Sequence, residues 1–283
     1  MRTAFHFSHF KFHPATVPAI NKIMAKNYIP GVVTAITVLL LACNGNAGKT
    51  NNQSGKTAEL MLLEKQVAAR PDSVGLRYQL MNELLKNNLY AEAIAQNDTL
   101  LKEDSANAVF WYRRGAIQLQ QGDTNTAIAS MQAAVQKEPM FMEPLLDIAS
   151  VYAARSDSNA ITATNKVIQL TPDPKLKSEA RFIQGLYYSN INDKAKALAS
   201  FDECIKNDYT FLDAYVEKGL LLYDSKDYKA ALAVFEQSIQ VSNTFAEGYY
   251  NAGRCEEALG NKEEAKLYYE KAYGLDKSLK KPE

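Results

Sequence analysis

Gly185, Gly219 and Gly253 stand 34 residues apart, and that interval constrains the fold of this 283-residue chain more than any other feature. Ala197, Ala231 and Ala265 follow the three glycines by twelve residues, and Phe201, Phe235 and Tyr269 follow by sixteen. Upstream, Gly115, Ala127, Met131, Ala134 and Pro139 occupy the same slots, with Trp111 four residues before its glycine. From Ala58 onward Gly and Pro are sparse, and apolar residues recur at helical spacing. A fixed period of this length marks one supersecondary unit used repeatedly, here a pair of helices.

Six units are expected, with starts near Val74, Ala108, Met142, Ser178, Leu212 and Ala246. Small residues at the eighth and twentieth positions let the two helices of a unit approach closely, and a larger side chain there would overpack. The aromatic at position 24 is expected to fill space against the next unit. Asn88, Gly122, Asn192 and Gly260 fall between helices, where a residue tolerating positive φ ends the first helix. The third unit is one residue short in its SDSN turn, and extra residues near Asp173–Lys177 restore the phase. The first is the most degenerate, with Met81 in place of the glycine. No unit buries its apolar face alone, so neighbours must stack and the ends must be capped. The helix over Ala58–Arg70, stopped by Pro71, is expected to cap one end within residues 58–73. Tyr268–Leu275 and the polar tail at 280–283 would close the other.

The residues at these offsets resemble the tetratricopeptide repeat, whose 34-residue unit places aromatic, Gly/Ala, Ala, aromatic, Ala and Pro in this order. The resemblance implies an all-α, right-handed superhelical solenoid of about six helix-turn-helix units over residues 74–279. Its structural positions here are Trp111, Gly115, Ala127, Pro139, Gly185, Ala197, Phe201, Gly219, Ala231, Phe235, Gly253, Ala265 and Tyr269. In the family, positions 2, 5, 9 and 12 of the first helix line a concave groove. Carried onto this chain, those offsets select Tyr78, Asn82, Tyr112, Phe182, Tyr223 and Tyr250, together with Leu146, Val216, Leu220 and Arg254. Tyr and Phe supply large contact area at low entropic cost and suit an extended peptide or helix.

Position 2 is acidic in four successive units, at Glu143, Glu179, Asp213 and Glu247. Such a row would select a basic partner segment. The competing explanation is local: a carboxylate in the first helical turn is stabilised by the macrodipole. Some grooves of this family clamp a C-terminal carboxylate with cations, but Glu143, Asp147, Asp213 and Glu217 stand where those cations are needed. Asn82 alone matches a clamp slot, with Arg113 near another, and the clamp reading is excluded. Cys204 and Cys255 are separated by a whole unit and read as small buried residues, not as a disulfide.

Ahead of the repeats lies Val32–Ala42, an uncharged apolar run too short to cross a bilayer and of the length of a signal-peptide core. Leu40-Leu41-Ala42-Cys43 resembles the lipobox of bacterial lipoproteins, which implies cleavage before Cys43 and acylation of its thiol. Residues 1–42 are thus expected to be a signal peptide and 43–57 a lipidated cysteine and flexible tether. Starting at Met24 would give a signal peptide of ordinary length, so residues 1–23 are expected to precede the true start. His6, His9 and His13 are the three histidines of the chain, all within that segment. They read as no metal site, since Pro14 disfavours helical geometry at His13.

Charge and composition exclude several classes. Loss of the four cations ahead of Cys43 leaves 28 Lys/Arg against 32 Asp/Glu, a net charge of −4. That offers nothing to nucleic acid. Without histidine, and without a phosphate loop, a nucleophile elbow or a Cys-x-x-Cys pair, the repeats read as non-catalytic, with no cofactor. The expectation is a scaffold that binds a protein or peptide, anchored through Cys43 to the outer membrane and facing the periplasm. The alternative is a glycan-binding lipoprotein of a nutrient-uptake system. Related proteins of that type carry long insertions, whereas these units run back to back with Trp111 as the single tryptophan.

Overall fold

The computed structural model describes residues 56–279, all helical apart from short connections. The expectations for the signal peptide, the Met24 start, the three histidines, acylated Cys43 and the tail at 280–283 lie outside the described residues. No helix among those described is long and apolar enough to cross a membrane. The helices fall into two compact units that divide between Gly122 and Asp123.

The first unit holds α1 (Ala58–Ala69), α2 (Val74–Lys86), α3 (Tyr90–Glu103) and α4 (Ala108–Gln121). Short polar side chains start three of them: Thr57, Ser73 and Asn107 each accept a hydrogen bond from a backbone N–H of the first turn. Leu60 and Val67 of α1 lie seven residues apart, on one helical face, and pack with Leu80, Met81, Leu84, Ala93 and Ile117. Met81 is fully buried where four later repeats carry glycine and one carries Ala149. Trp111 packs beside Leu100, Leu101 and Phe110, and its Nε1 donates to the Ser105 carbonyl at 3.0 Å.

The second unit runs through α5 (Thr124–Lys137), α6 (Met142–Ala154), α7 (Asn159–Leu170), α8 (Pro174–Asn190), α9 (Lys194–Asn207), α10 (Leu212–Asp224), α11 (Tyr228–Val241), α12 (Ala246–Leu259) and α13 (Lys262–Leu275). A 3-10 turn, Lys277–Leu279, follows. Each helix packs on the next, and the first helices of successive repeats also touch: α6 meets α8, α8 meets α10 and α10 meets α12. Ala197, Ala231, Phe201 and Phe235 have no exposed surface. A Cβ placed on Gly185 would come within 2.4 Å of the Phe201 ring, and one on Gly219 within 2.5 Å of Phe235. Both glycines are there because an aromatic ring occupies the space a side chain would need. Pro139, by contrast, lies exposed after α5.

Asn88, Asn192, Gly122 and Gly260 all carry positive φ, as the turns between paired helices require. Ser156 and Lys226 do so too, at 56° and 64°. Neither residue type announces this conformation, which costs a Cβ-bearing residue roughly 1–2 kcal/mol. The extra residues of Asp173–Lys177 form an added first turn of α8, with Asp173 as N-cap accepting from Lys175 N at 2.8 Å and Pro174 at the first helical position. The fourth repeat therefore begins its first helix four residues before Ser178.

Candidate partner-binding face

Position 5 of the first helices, expected to be open to a partner, is largely interior. Tyr112 is 1% exposed, Leu146 2% and Val216 6%. The reason is helical geometry. On α4 the buried residues include Phe110, Tyr112, Arg113, Gly115, Ile117 and Gln118, which cover most of the helix circumference and leave Tyr112 no open side. Leu146 joins the core formed with Met142, Leu145, Ala149 and Ile183. These three residues stabilise the stack and are removed from the partner-binding set.

The remaining aromatics are half-buried, each resting one side of its ring on a neighbour. Phe182 lies 5.0 Å from Phe211 and 5.8 Å from Phe201, centroid to centroid. Tyr250 contacts Tyr269 at 5.6 Å and Tyr273 at 6.5 Å. Tyr223 lies 5.1 Å from Tyr228 and carries the Arg254 guanidinium 4.5 Å above its ring. In the first unit Tyr78 and Asn82 converge on Arg113. The guanidinium lies 3.7 Å over the Tyr78 ring and donates to Asn82 Oδ1. Arg113 is buried, and desolvation lowers its pKa against the opposing pull of Tyr78. Asn82 and Tyr78 thus hold a cation of their own chain.

The acidic row of the second unit behaves differently at each position. Glu143, Asp213 and Glu247 sit in the first turns of α6, α10 and α12. Those helices begin at Phe141, Phe211 and Phe245, none of which caps with its side chain, so a first-turn carboxylate replaces a missing cap. Glu179 has no such role. The added turn of α8 moves it past the first turn, and Asp173 already caps that helix. Burial, then the charge of Glu143, push the Glu179 carboxyl up to about 7. Glu217 stands one turn beyond Asp213 on α10 and is likewise raised to about 7, first by burial and then by Glu247 and Asp213. Glu179 thus feels a carboxylate of the first helix before it, and Glu217 one of the first helix after it. The spacing of Asp213 and Glu217, four residues on one helical face, is the signal that places Glu217 with the row.

Cys204 and Cys255 are buried and free. Burial raises both thiols to about 12, so neither is a nucleophile near neutral pH. Among the described residues no group of His, Cys, Asp or Glu has the arrangement to hold a metal ion.

Paired helices, glycine-to-ring contacts and positive-φ turns at a 34-residue interval define an α-helical repeat protein. Tetratricopeptide repeat profiles match residues 78–139, 182–244 and 246–279, more than half of the chain. The chain belongs to the tetratricopeptide repeat family. It is similar in fold to a tetratricopeptide repeat protein from Parabacteroides merdae, at 17% identity and TM-score 0.58, over 78% of this chain and 89% of that one. PilW, a widely conserved type IV pilus biogenesis factor, matches at 18% identity and TM-score 0.58 over 70% and 91%. PilF of Pseudomonas aeruginosa matches at 15% identity and TM-score 0.54 over 76% and 94%. No curated protein sequence matches the chain.

Proposed function

We propose that this chain is a non-catalytic interaction scaffold of the bacterial envelope, tethered to the membrane through acylated Cys43. Its second unit takes a Lys/Arg-rich segment of a protein partner along Glu143, Glu179, Asp213, Glu217 and Glu247. The observation that carries this reading is Glu179. A half-buried carboxylate beside another carboxylate, with no capping role, is a cost to the folded chain. A cation delivered by a partner would relieve it. The half-buried rings of Phe182, Tyr223 and Tyr250 supply apolar contact on the same first helices.

Fluorescence titration with a lysine-rich peptide tests the reading. Neutralising the row with Glu143→Gln, Glu179→Gln, Asp213→Asn and Glu247→Gln removes up to four ion pairs with the peptide. The expected loss of affinity is roughly ten- to a hundredfold, with a flatter salt dependence. Since Glu179 and Glu217 ionise near pH 7, binding should tighten from pH 6 to pH 8. Affinity unchanged by the substitutions would rule out the acidic row as the binding face. Cys43→Ala should release the protein from the membrane fraction of its native host, and retention there would refute the anchor.

A further inference from the structure

The 34-residue repeat allows one region of the second unit to be compared with its own copy. In the fifth repeat, the space between α9, α10 and α11 is filled by Tyr215, Leu222 and Val234, with Leu198 and Ala230 packed against them. An ion pair, Lys218 Nζ to Asp202 Oδ1 at 2.6 Å, lies at its edge. One repeat earlier the corresponding slots hold Arg181 for Tyr215, Tyr188 for Leu222, Lys196 for Ala230 and Ser200 for Val234. Here α7, α8 and α9 enclose an open cleft of about 240 Å³. Polar side chains have replaced the apolar filling, and at Ser200 a smaller one as well.

The cleft has a built wall. Gln184 is 3% exposed, yet every arm of its amide is satisfied. Its Nε2 donates to Thr164 Oγ1 at 3.0 Å and to Asn165 Oδ1 at 2.9 Å. Thr164 in turn donates to the Ala160 carbonyl at 2.8 Å, so its oxygen is left to accept. The amide can therefore point only one way, with Oε1 receiving Arg181 Nη1 at 2.9 Å. A buried polar chain three residues long orients one guanidinium at the rim, and a buried polar network is costly unless it is complete. No carboxylate of the chain pairs with Arg181 among the described residues. Lys196 opposite is neutralised by Asp193 at 2.8 Å and rests 5.3 Å from the Tyr188 ring. Glu203, on the α9 side, completes the lining with a carboxylate whose Oε1 already holds the exposed Lys206 Nζ at 3.2 Å.

We propose that this cleft is a ligand site separate from the acidic row, for a small zwitterion of amino-acid type. The guanidinium fork of Arg181 takes the carboxylate in two parallel hydrogen bonds. Glu203 accepts from the ammonium with Oε2, the oxygen not held by Lys206, and Tyr188 with Ile161 covers the apolar body. Arg181, Gln184 and Tyr188 occupy positions 4, 7 and 11 of the first helix, a stripe apart from the positions 2 and 6 that carry the acids. The volume lies between an engineered cavity of about 150 Å³ that binds benzene and drug-sized pockets of about 300–1,000 Å³, which suits a ligand of this size.

Calorimetric titration of the whole protein with L-leucine, N-acetyl-L-leucine and acetate tests the site. Free leucine should bind, and the acetylated form, lacking the ammonium, should bind at least about tenfold more weakly. Acetate should be weaker still. Arg181→Met should abolish binding, and Gln184→Leu should weaken it about tenfold by freeing the guanidinium. The pair Arg181→Tyr and Ser200→Val installs the fifth repeat's residues at two of the four slots. It should fold, as circular dichroism will show, and bind no leucine. Absence of leucine binding up to roughly 10 mM, a limit weaker than about 3 kcal/mol, overturns the proposal. Equal binding of free and acetylated leucine, or binding retained in the filled variant, overturns it as well.

Discussion

In the fourth repeat the Phe201 ring leaves no room for a Cβ on Gly185, and in the fifth Phe235 does the same to Gly219, the two approaches differing by 0.1 Å. Ala197 and Ala231 are equally buried in the two. Between the neighbouring helices the likeness ends. Arg181, Gln184 and Ser200 line an open polar cleft in one repeat, while Tyr215, Leu222 and Val234 fill the same place in the other. The frame of a repeat and the contents of its side clefts are thus separable. A few ring-to-glycine contacts hold the helix pair, and the remaining positions are free to vary toward binding.

The largest expected effect tests the shared frame. Phe201→Ala and Phe235→Ala each leave a cavity under a glycine and should cost about 3–5 kcal/mol in denaturant unfolding. If the frames are equivalent the two costs agree, and a much smaller cost at Phe201 would show the open cleft collapsing to compensate. A middle-sized effect separates the acidic positions. Glu179 and Glu217 are raised from 4.5 to about 7 in the folded chain, so the folded state binds more protons than the unfolded one between those values. Stability is greatest below pH 4.5 from these groups and falls as pH rises through 7. Glu179→Gln and Glu217→Gln should each stabilise the protein at pH 8 by on the order of 1 kcal/mol and flatten that fall. Melting temperatures across pH 4–8 check the sign. Smallest of all, Lys218→Met removes a partly exposed ion pair with Asp202 and should change stability by less than about 1 kcal/mol. A larger loss would mean that the pair closes the filled cleft.

Much of this architecture was legible in the period. The glycine, alanine and aromatic slots located the contacts between paired helices, because only a small residue opposite a large one lets two helices approach. Asn88, Asn192, Gly122 and Gly260 marked the positive-φ turns by residue type, whereas Ser156 and Lys226 did not, since the helix-ending backbone bonds of Asp157 N to the Tyr152 carbonyl and Asp227 N to the Leu222 carbonyl set φ there whatever the residue. The extra turn of α8 was hidden for a related reason. Asp173-Pro174 is a good helix start, but the family interval pointed to Ser178.

The candidate site was legible as a row of acids and not as an environment. Residue spacing put Glu143, Glu179, Asp213 and Glu247 at one position of successive helices. It could not say that Tyr112, Leu146 and Val216, selected by the same rule, would be interior. Exposure depends on what the neighbouring helices bring against each face, and that is set by packing rather than by spacing. The same holds for the cleft at Arg181: its residues are unremarkable one by one, and three helices had to meet before Gln184 could aim a guanidinium. Sequence alone therefore determined the repeat, its interval and its acidic positions, because these follow from local periodicity. Which of those positions face solvent, which carboxylates resist ionisation and where a cleft stays open were decided only in the tertiary structure, because burial and proximity are properties of the stack.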